Sequence, residues 1–188
     1  GKSASLISTI EYAIRMDSVE EIVIMDPKFE FLQYRSKAYV FNEILEIEEK
    51  MADLVEEMNE LVRNGRKTRK LIVIDEFADA LAASRKGKDL DVYDDVEVGF
   101  YKQSTEQMLM GLPPQPKTQK QKVGELKSLE ENLRILLQKG RSVGYRIISA
   151  TQRASTKVIT GDAKVNYPVQ ICFRVPKEID SRVVLDDA

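Results

Sequence analysis

A chain of 188 residues, 43% hydrophobic and 32% charged, is long enough to bury a real core and too apolar to be disordered throughout. Its formal net charge of −2 does not mark a bulk nucleic-acid binder, its single cysteine (Cys172) rules out an internal disulfide, and its lack of histidine rules out a Cys/His zinc cluster and the commonest general base. No stretch approaches the roughly 18 apolar residues of a membrane span, and no signal peptide is evident, so a soluble cytoplasmic domain is expected.

Residues 3–16 predict a helix with Leu6, Ile10, Ala13 and Ile14 on one side. "EEIVIMDP" at 20–27 is a short apolar run closed by Asp-Pro, which predicts a buried strand. From Phe41 to Val62 apolar residues recur at intervals of three and four, predicting a long amphipathic helix that stops at "RNGRK". "KLIVIDEF" at 70–77 predicts a second buried strand, 129–139 another helix, "GYRIISATQR" at 144–153 a third strand and "YPVQICFRV" at 167–175 a fourth. Nearly all-apolar strands alternating with helices predict a mostly parallel sheet covered on both faces. Cys172 sits in an apolar alternation and is expected to be a small core residue.

The stretch from about 84 to 124 breaks this rhythm and ends in "GLPPQPKTQKQKVG", so an insertion or flexible segment is expected there. Residues 111–146 hold eight Lys/Arg against three Glu, a locally basic region in a chain that is not basic overall. A solvated linker accounts for those lysines more simply than nucleic-acid contact does.

Two short motifs carry chemistry. The strand "LIVI" delivers Asp75 and Glu76 at its carboxyl end, where ligands gather in open α/β sheets. An aspartate there can hold Mg²⁺, and the adjacent glutamate can polarise a water for attack on a γ-phosphate. The plainer alternative is that Asp75 caps the following helix. Gly1, Lys2 and Ser3 fit the last three places of a phosphate-binding loop, in which backbone N–H groups surround the β-phosphate, the lysine reaches the β/γ oxygens and the hydroxyl binds Mg²⁺. Three residues alone are a weak signal; joined to an Asp-Glu pair 72 residues beyond Ser3 they gain specificity, because both answer the needs of one metal-bound triphosphate. "ISATQR" ends the third strand with polar residues that can sense a γ-phosphate, or simply turn the chain.

The order of these motifs resembles the FtsK/SpoIIIE family of DNA-translocating ATPases. The residues that carry the resemblance are "GKS" at 1–3, "IMDPK" at 24–28, "VIDEFADAL" at 73–81, "KGRSVGYRIISATQRASTKVITG" at 139–161 and "IDSRVVLD" at 179–186. The resemblance implies a RecA-like P-loop NTPase fold, ATP and Mg²⁺ as cofactors, and a ring, hexameric in the family, around double-stranded DNA. By position it implies that Lys2 and Ser3 are the loop lysine and hydroxyl, Asp75 the metal aspartate and Glu76 the catalytic glutamate. It further implies that Gln152 is the polar sensor and that Arg141 reaches a neighbouring subunit's ATP. Arg182 is a weaker candidate for a nucleotide or interface contact; alternatively Arg141 is a solvated charge at a helix end. The chain then reads as a partial motor domain over 1–188. Its first strand, central in the RecA-like sheet, and most of its phosphate loop are expected in residues ahead of Gly1, and any membrane anchor in regions outside the chain.

A type VII protein-secretion motor and a conjugative coupling protein share much of the same pattern, and the "DPK" turn favours the DNA motors. A non-hydrolysing ring scaffold is the alternative from another class, and intact Lys2, Asp75, Glu76 and Arg141 argue against it.

Overall fold

The computed structural model describes residues 1–16, 19–152, 165–173, 182, 184 and 185. They divide into two compact units, one of residues 1–84 with 128–188 and one of residues 85–127.

The larger unit is built on a four-stranded sheet of β1 (Glu21–Met25), β2 (Tyr39–Phe41), β3 (Lys70–Ile74) and β6 (Tyr145–Ser149). The order is β2-β1-β3-β6 and every pairing is parallel. The ladder runs without a break, so the vacancy expected at the middle of the sheet is not found among these four strands. Helices cover both faces, and the strands show how. Ile22, Ile24, Leu71 and Val73 pack against α1 (Lys2–Arg15) through Leu6, Ile10 and Ala13. Their neighbours Val23, Met25, Ile72 and Ile74 point the other way, onto α2 (Ile44–Arg63) and α5 (Leu129–Lys139). Successive strand side chains alternate between faces, so a strand buried on both sides must be apolar throughout; that is why "EIVIM" and "KLIVI" show no polar alternation.

In α2 the buried Ile47, Met51, Leu54, Val55 and Met58 recur at helical spacing, and Gly65, at φ 62°, ends the turn that follows. The helix α5 starts at Ser128, whose side chain accepts the Glu131 N–H at 3.1 Å, an N-cap bond. A 3₁₀ turn, Gly140–Val143, leads through Gly144 at φ 95° into β6.

Two expectations need correction. The alternating run at 167–175 forms no strand over its described residues, 167–173, and Val169 and Ile171 are exposed. Alternation yields a strand only where a sheet edge and a core face receive it, and no described strand pairs with this run. Cys172 is half-buried and is not a member of either core cluster. Residues 174 and 175 lie outside the described set.

The smaller unit is an antiparallel ribbon of β4 (Asp91–Phe100) and β5 (Pro116–Glu125), joined by a loop that holds the short helix α4 (Thr105–Leu109). Ser104 and Gln107 form a reciprocal capping box at the start of α4. Among the described residues, no helix is long and apolar enough to cross a membrane.

Candidate nucleotide site

The carboxyl ends of β1 and β3 and the amino end of α1 bring the candidate residues together. The strand β3 ends at Ile74, and the next residues are pinned on both sides. The Asp75 N–H donates to the Met25 carbonyl at 2.9 Å, and the Phe77 N–H donates to the Ala150 carbonyl at 3.0 Å. Between them Glu76 takes the left-handed conformation, φ 45° and ψ 45°, and occupies the N-cap of α3 (Phe77–Ala83) without a side-chain cap bond. The helix cap is therefore Glu76 rather than Asp75. A non-glycine residue held there costs on the order of 1–3 kcal/mol, which the surrounding hydrogen bonds must sustain. The effect is to turn both acidic side chains of a buried strand end toward α1.

Lys2 meets them. Its Nζ donates to Asp75 Oδ1 at 2.7 Å and also to Glu76 Oε1. Asp75 and Glu76 are 0% and 1% exposed, so this ammonium neutralises carboxylates that water does not reach. Burial alone pulls the Lys2 ammonium down, but the hydrogen bonds and charges of Asp75 and Glu76 outweigh it and leave its pKa above the ordinary lysine value. Burial pushes the Asp75 carboxyl above the usual carboxylate range, with the Glu76 charge adding to it and Lys2 opposing it. The two directions fit one cause, an anion pair that shares a single close cation.

A second lysine stands nearby. Lys28 Nζ lies 3.7 Å from Glu76 Oε1 and 3.3 Å from Asp79 Oδ2. It is carried by the turn after β1, which Asp26 builds. The buried Asp26 carboxylate accepts the Glu30 N–H at 3.0 Å, the Phe31 N–H at 2.8 Å and the Asn42 Nδ2 at 3.2 Å. The placement of Lys28 beside Glu76 and Asp79 was not legible from spacing; the one signal was its place in "DPK", three residues past a buried strand.

The remaining candidates divide. Gly1 is the N-cap of α1. The Ser3 hydroxyl donates to Glu30 Oε2 at 3.4 Å. Gln152 joins the site through its backbone, donating its N–H to Glu76 Oε2 at 3.1 Å, while the residue itself is exposed. Arg141 lies in the 3₁₀ turn before β6, at the amino edge of the sheet, the end opposite Asp75 and Glu76. The rest of "ATQRASTKVITG" from residue 153 onward lies outside the described residues, as does "IDSRVVLD" except for Arg182, Val184 and Leu185; Arg182 is exposed.

The donor set suits a magnesium-bound polyphosphate. Asp75 Oδ2 is a buried oxygen with no hydrogen-bond partner. Among the described residues, no group of three or more acidic, cysteine or histidine side chains converges to cage a metal alone. Mg²⁺ needs no such cage, since it is usually held by one or two protein groups together with substrate phosphates and water. The amino end of α1 adds free N–H groups suited to an anion.

No family model matches the chain. Over 60 residues, 32% of the chain, it is 52% identical to the DNA translocase FtsK of Haemophilus ducreyi, a match covering 6% of that protein. Matches of the same length reach 50% identity with DNA translocase FtsK of Haemophilus influenzae, over 11% of that protein, and 48% with that of Pseudomonas aeruginosa, over 7%. The match thus spans only a small part of these relatives, and the resemblance to the FtsK translocases holds over a third of the chain. A solved structure of the pCW3 conjugation coupling protein TcpA, in its monomer form with ATPγS, superposes with a TM-score of 0.66 at 21% identity over 99% of this chain and 49% of that one. The fold is therefore the α/β fold of that coupling protein, a mostly parallel sheet with helices on both faces.

Proposed function

We propose that this chain is part of an ATP-hydrolysing motor that moves double-stranded DNA through a ring of like subunits. The observation that carries it is the meeting of Lys2, at the start of α1, with Asp75 and Glu76, at the end of β3, around one buried charge cluster. Nothing in an ordinary strand-to-helix turn requires two adjacent buried carboxylates and a lysine 73 residues distant from the first of them. The similarity to FtsK translocases supports DNA as the substrate.

In this reading Lys2 and the α1 N–H groups bind the β- and γ-phosphates. Asp75, through its unpartnered oxygen, and the Ser3 hydroxyl would hold Mg²⁺. When bound, the ion supplies neutralisation of phosphate charge. Glu76 orients the attacking water and accepts its proton. For that it must leave Lys2, which transfers to the phosphates. Lys28 and the Gln152 N–H then keep the glutamate in place. Arg141, at the far edge of its own sheet, serves the site of the next subunit, making turnover depend on assembly.

The test is ATP turnover by the full-length natural protein, with and without linear duplex DNA. DNA-stimulated turnover that falls at least a hundredfold in Lys2→Ala and in Glu76→Gln supports the motor. Turnover indifferent to DNA but raised by a secreted peptide would move the assignment to a protein-export motor, and nucleotide binding without turnover would leave a ring scaffold.

A further inference from the structure

Among the described residues β4 and β5 form a sheet of two strands, so each of them is an edge. A two-stranded ribbon is marginal in water by itself, and each open edge presents N–H and C=O groups that template another strand. Here the strands are ten residues long and their side chains are almost all exposed. The exposed set includes Tyr93, Phe100 and Tyr101, and at the tip Met108, Leu109 and Met110, the last three 62%, 83% and 75% exposed. Clustered apolar side chains of this kind mark contact sites.

The two edges differ in sign. The strand β4 carries Asp91, Asp94, Asp95 and Glu97, whereas β5 carries Lys117, Lys120 and Lys122, with Glu125 at its end. Lys122 is engaged inside the ribbon, paired with Asp91 and, at 3.2 Å, with Glu125. Among the described residues Asp94, Asp95, Glu97, Lys117 and Lys120 make no ion pair.

This asymmetry selects one kind of contact. A two-fold dimer sets β4 against β4 or β5 against β5, like charge facing like. A head-to-tail contact sets the acidic edge of one copy against the lysine edge of the next, which is favourable at each cross-strand pair. DNA and anionic lipid fit less well, because the whole unit, residues 85–127, is near neutral, with eight Lys/Arg against seven carboxylates, and the lysines of β5 lie beside the carboxylates of β4. We infer that the ribbon is the surface through which copies of this chain join head to tail, β4 of one copy beside β5 of the next. Such contacts close into rings or run on as filaments; closure into a ring rests on the motor reading above, whereas the contact itself does not.

Charge exchange in the full-length protein tests this. One variant reverses the acidic edge (Asp94→Lys, Asp95→Lys, Glu97→Lys) and the other reverses the lysine edge (Lys117→Glu, Lys120→Glu). Sedimentation velocity, run without DNA, reads the assembly. The wild type is expected to assemble. Each variant alone, now carrying one sign on both edges, is expected to need more than tenfold higher concentration. An equimolar mixture should restore assembly, since each variant then meets its complement. Asp95 stands directly across from Lys120 within one ribbon, so amide exchange along β4 and β5 must first match the wild type in each variant; a misfolded ribbon cannot be rescued by mixing. A wild type that stays monomeric, single variants that assemble like the wild type, or a mixture that stays dissociated would each overturn the inference. So would a lysine-edge variant that assembles normally but loses retention of duplex DNA. Assembly is read without nucleotide or DNA, so its outcome does not depend on turnover, which separates failure of the contact from failure of the motor reading.

Discussion

Replacing Lys2 by Met removes the nearest cation from two carboxylates that are 0% and 1% exposed. Asp75 already has one oxygen without a partner, and Lys28, at 3.7 Å, reaches only Glu76. A buried carboxylate so stranded takes up a proton rather than stay charged. Doing so at pH 7 against an ordinary solution pKa near 3.9 costs at most about 4 kcal/mol, which sets the ceiling on the damage. Loss of a buried ion-pair partner commonly costs about 3–5 kcal/mol, so a loss of about 3–4 kcal/mol is expected at neutral pH. The sign with pH follows. In the variant the folded-state pKa of Asp75 lies above its unfolded value, so the folded state binds more protons and stability falls as pH rises through that interval. Lowering the pH from 7 to 5 should therefore recover up to about 2.7 kcal/mol of the deficit, at about 1.36 kcal/mol per pH unit. Urea unfolding of wild type and variant at both pH values, with unchanged slope, reads the difference directly. A variant within about 1 kcal/mol of wild type at pH 7, or a deficit that does not shrink on acidification, would show that Lys2 does not neutralise a buried pair.

Gly144→Ala should destabilise by about 2–4 kcal/mol, from left-handed strain of about 1–2 and the loss of hydrogen bonds worth about 1 each. At φ 95° its Cβ would lie 1.7 Å from the Thr68 carbonyl oxygen, and relief of that clash disturbs the Thr68 N–H bond to Val143 and the Lys70 N–H bond to Gly144. An unchanged thermal midpoint would count against the β3–β6 register at that end. Asp26→Ala strips the turn after β1 of three bonds to a fully buried carboxylate. A loss of about 2–4 kcal/mol in urea unfolding is expected, and faster amide exchange at Glu30 and Phe31 should accompany it. Ser128→Ala removes the N-cap bond of α5 and should cost about 1 kcal/mol, with Ser128→Asn restoring it; equal midpoints for all three proteins would show that the cap contributes nothing.

The strands β1 and β3, five residues each, were legible because burial on both faces leaves an unmistakable apolar run. The helices α2 and α5 were legible because one stripe repeats at helical spacing; α5 begins and ends where its periodicity does. Other elements left no such trace. β2 has only three residues, too few to show a period. In β4 the series Asp94, Asp95, Val96, Glu97 has no buried face at all, so no alternation marks it as a strand. The opposite error occurred at 167–173, where alternation is present and no described strand pairs with it. Within the site, the meeting of Lys2 with Asp75 was foreseeable from chemistry, since a lysine and an aspartate in these motifs answer the needs of one metal-bound triphosphate. The Gln152 contact runs through a main-chain N–H, which any residue type supplies, and the left-handed turn at Glu76 has no glycine to announce it.

The hairpin between Leu90 and Leu126 closes on itself: the Leu126 N–H donates to the Leu90 carbonyl at 2.7 Å, and Asp91 stands directly across from Glu125. Its first and last residues are thus about 5 Å apart, the separation of paired strands. A cassette whose two feet stand so close can be lengthened, trimmed or exchanged with a two-residue bridge, without asking the surrounding polypeptide to move. Proteins sharing the larger, parallel-sheet unit should accordingly tolerate wide divergence here in size and composition.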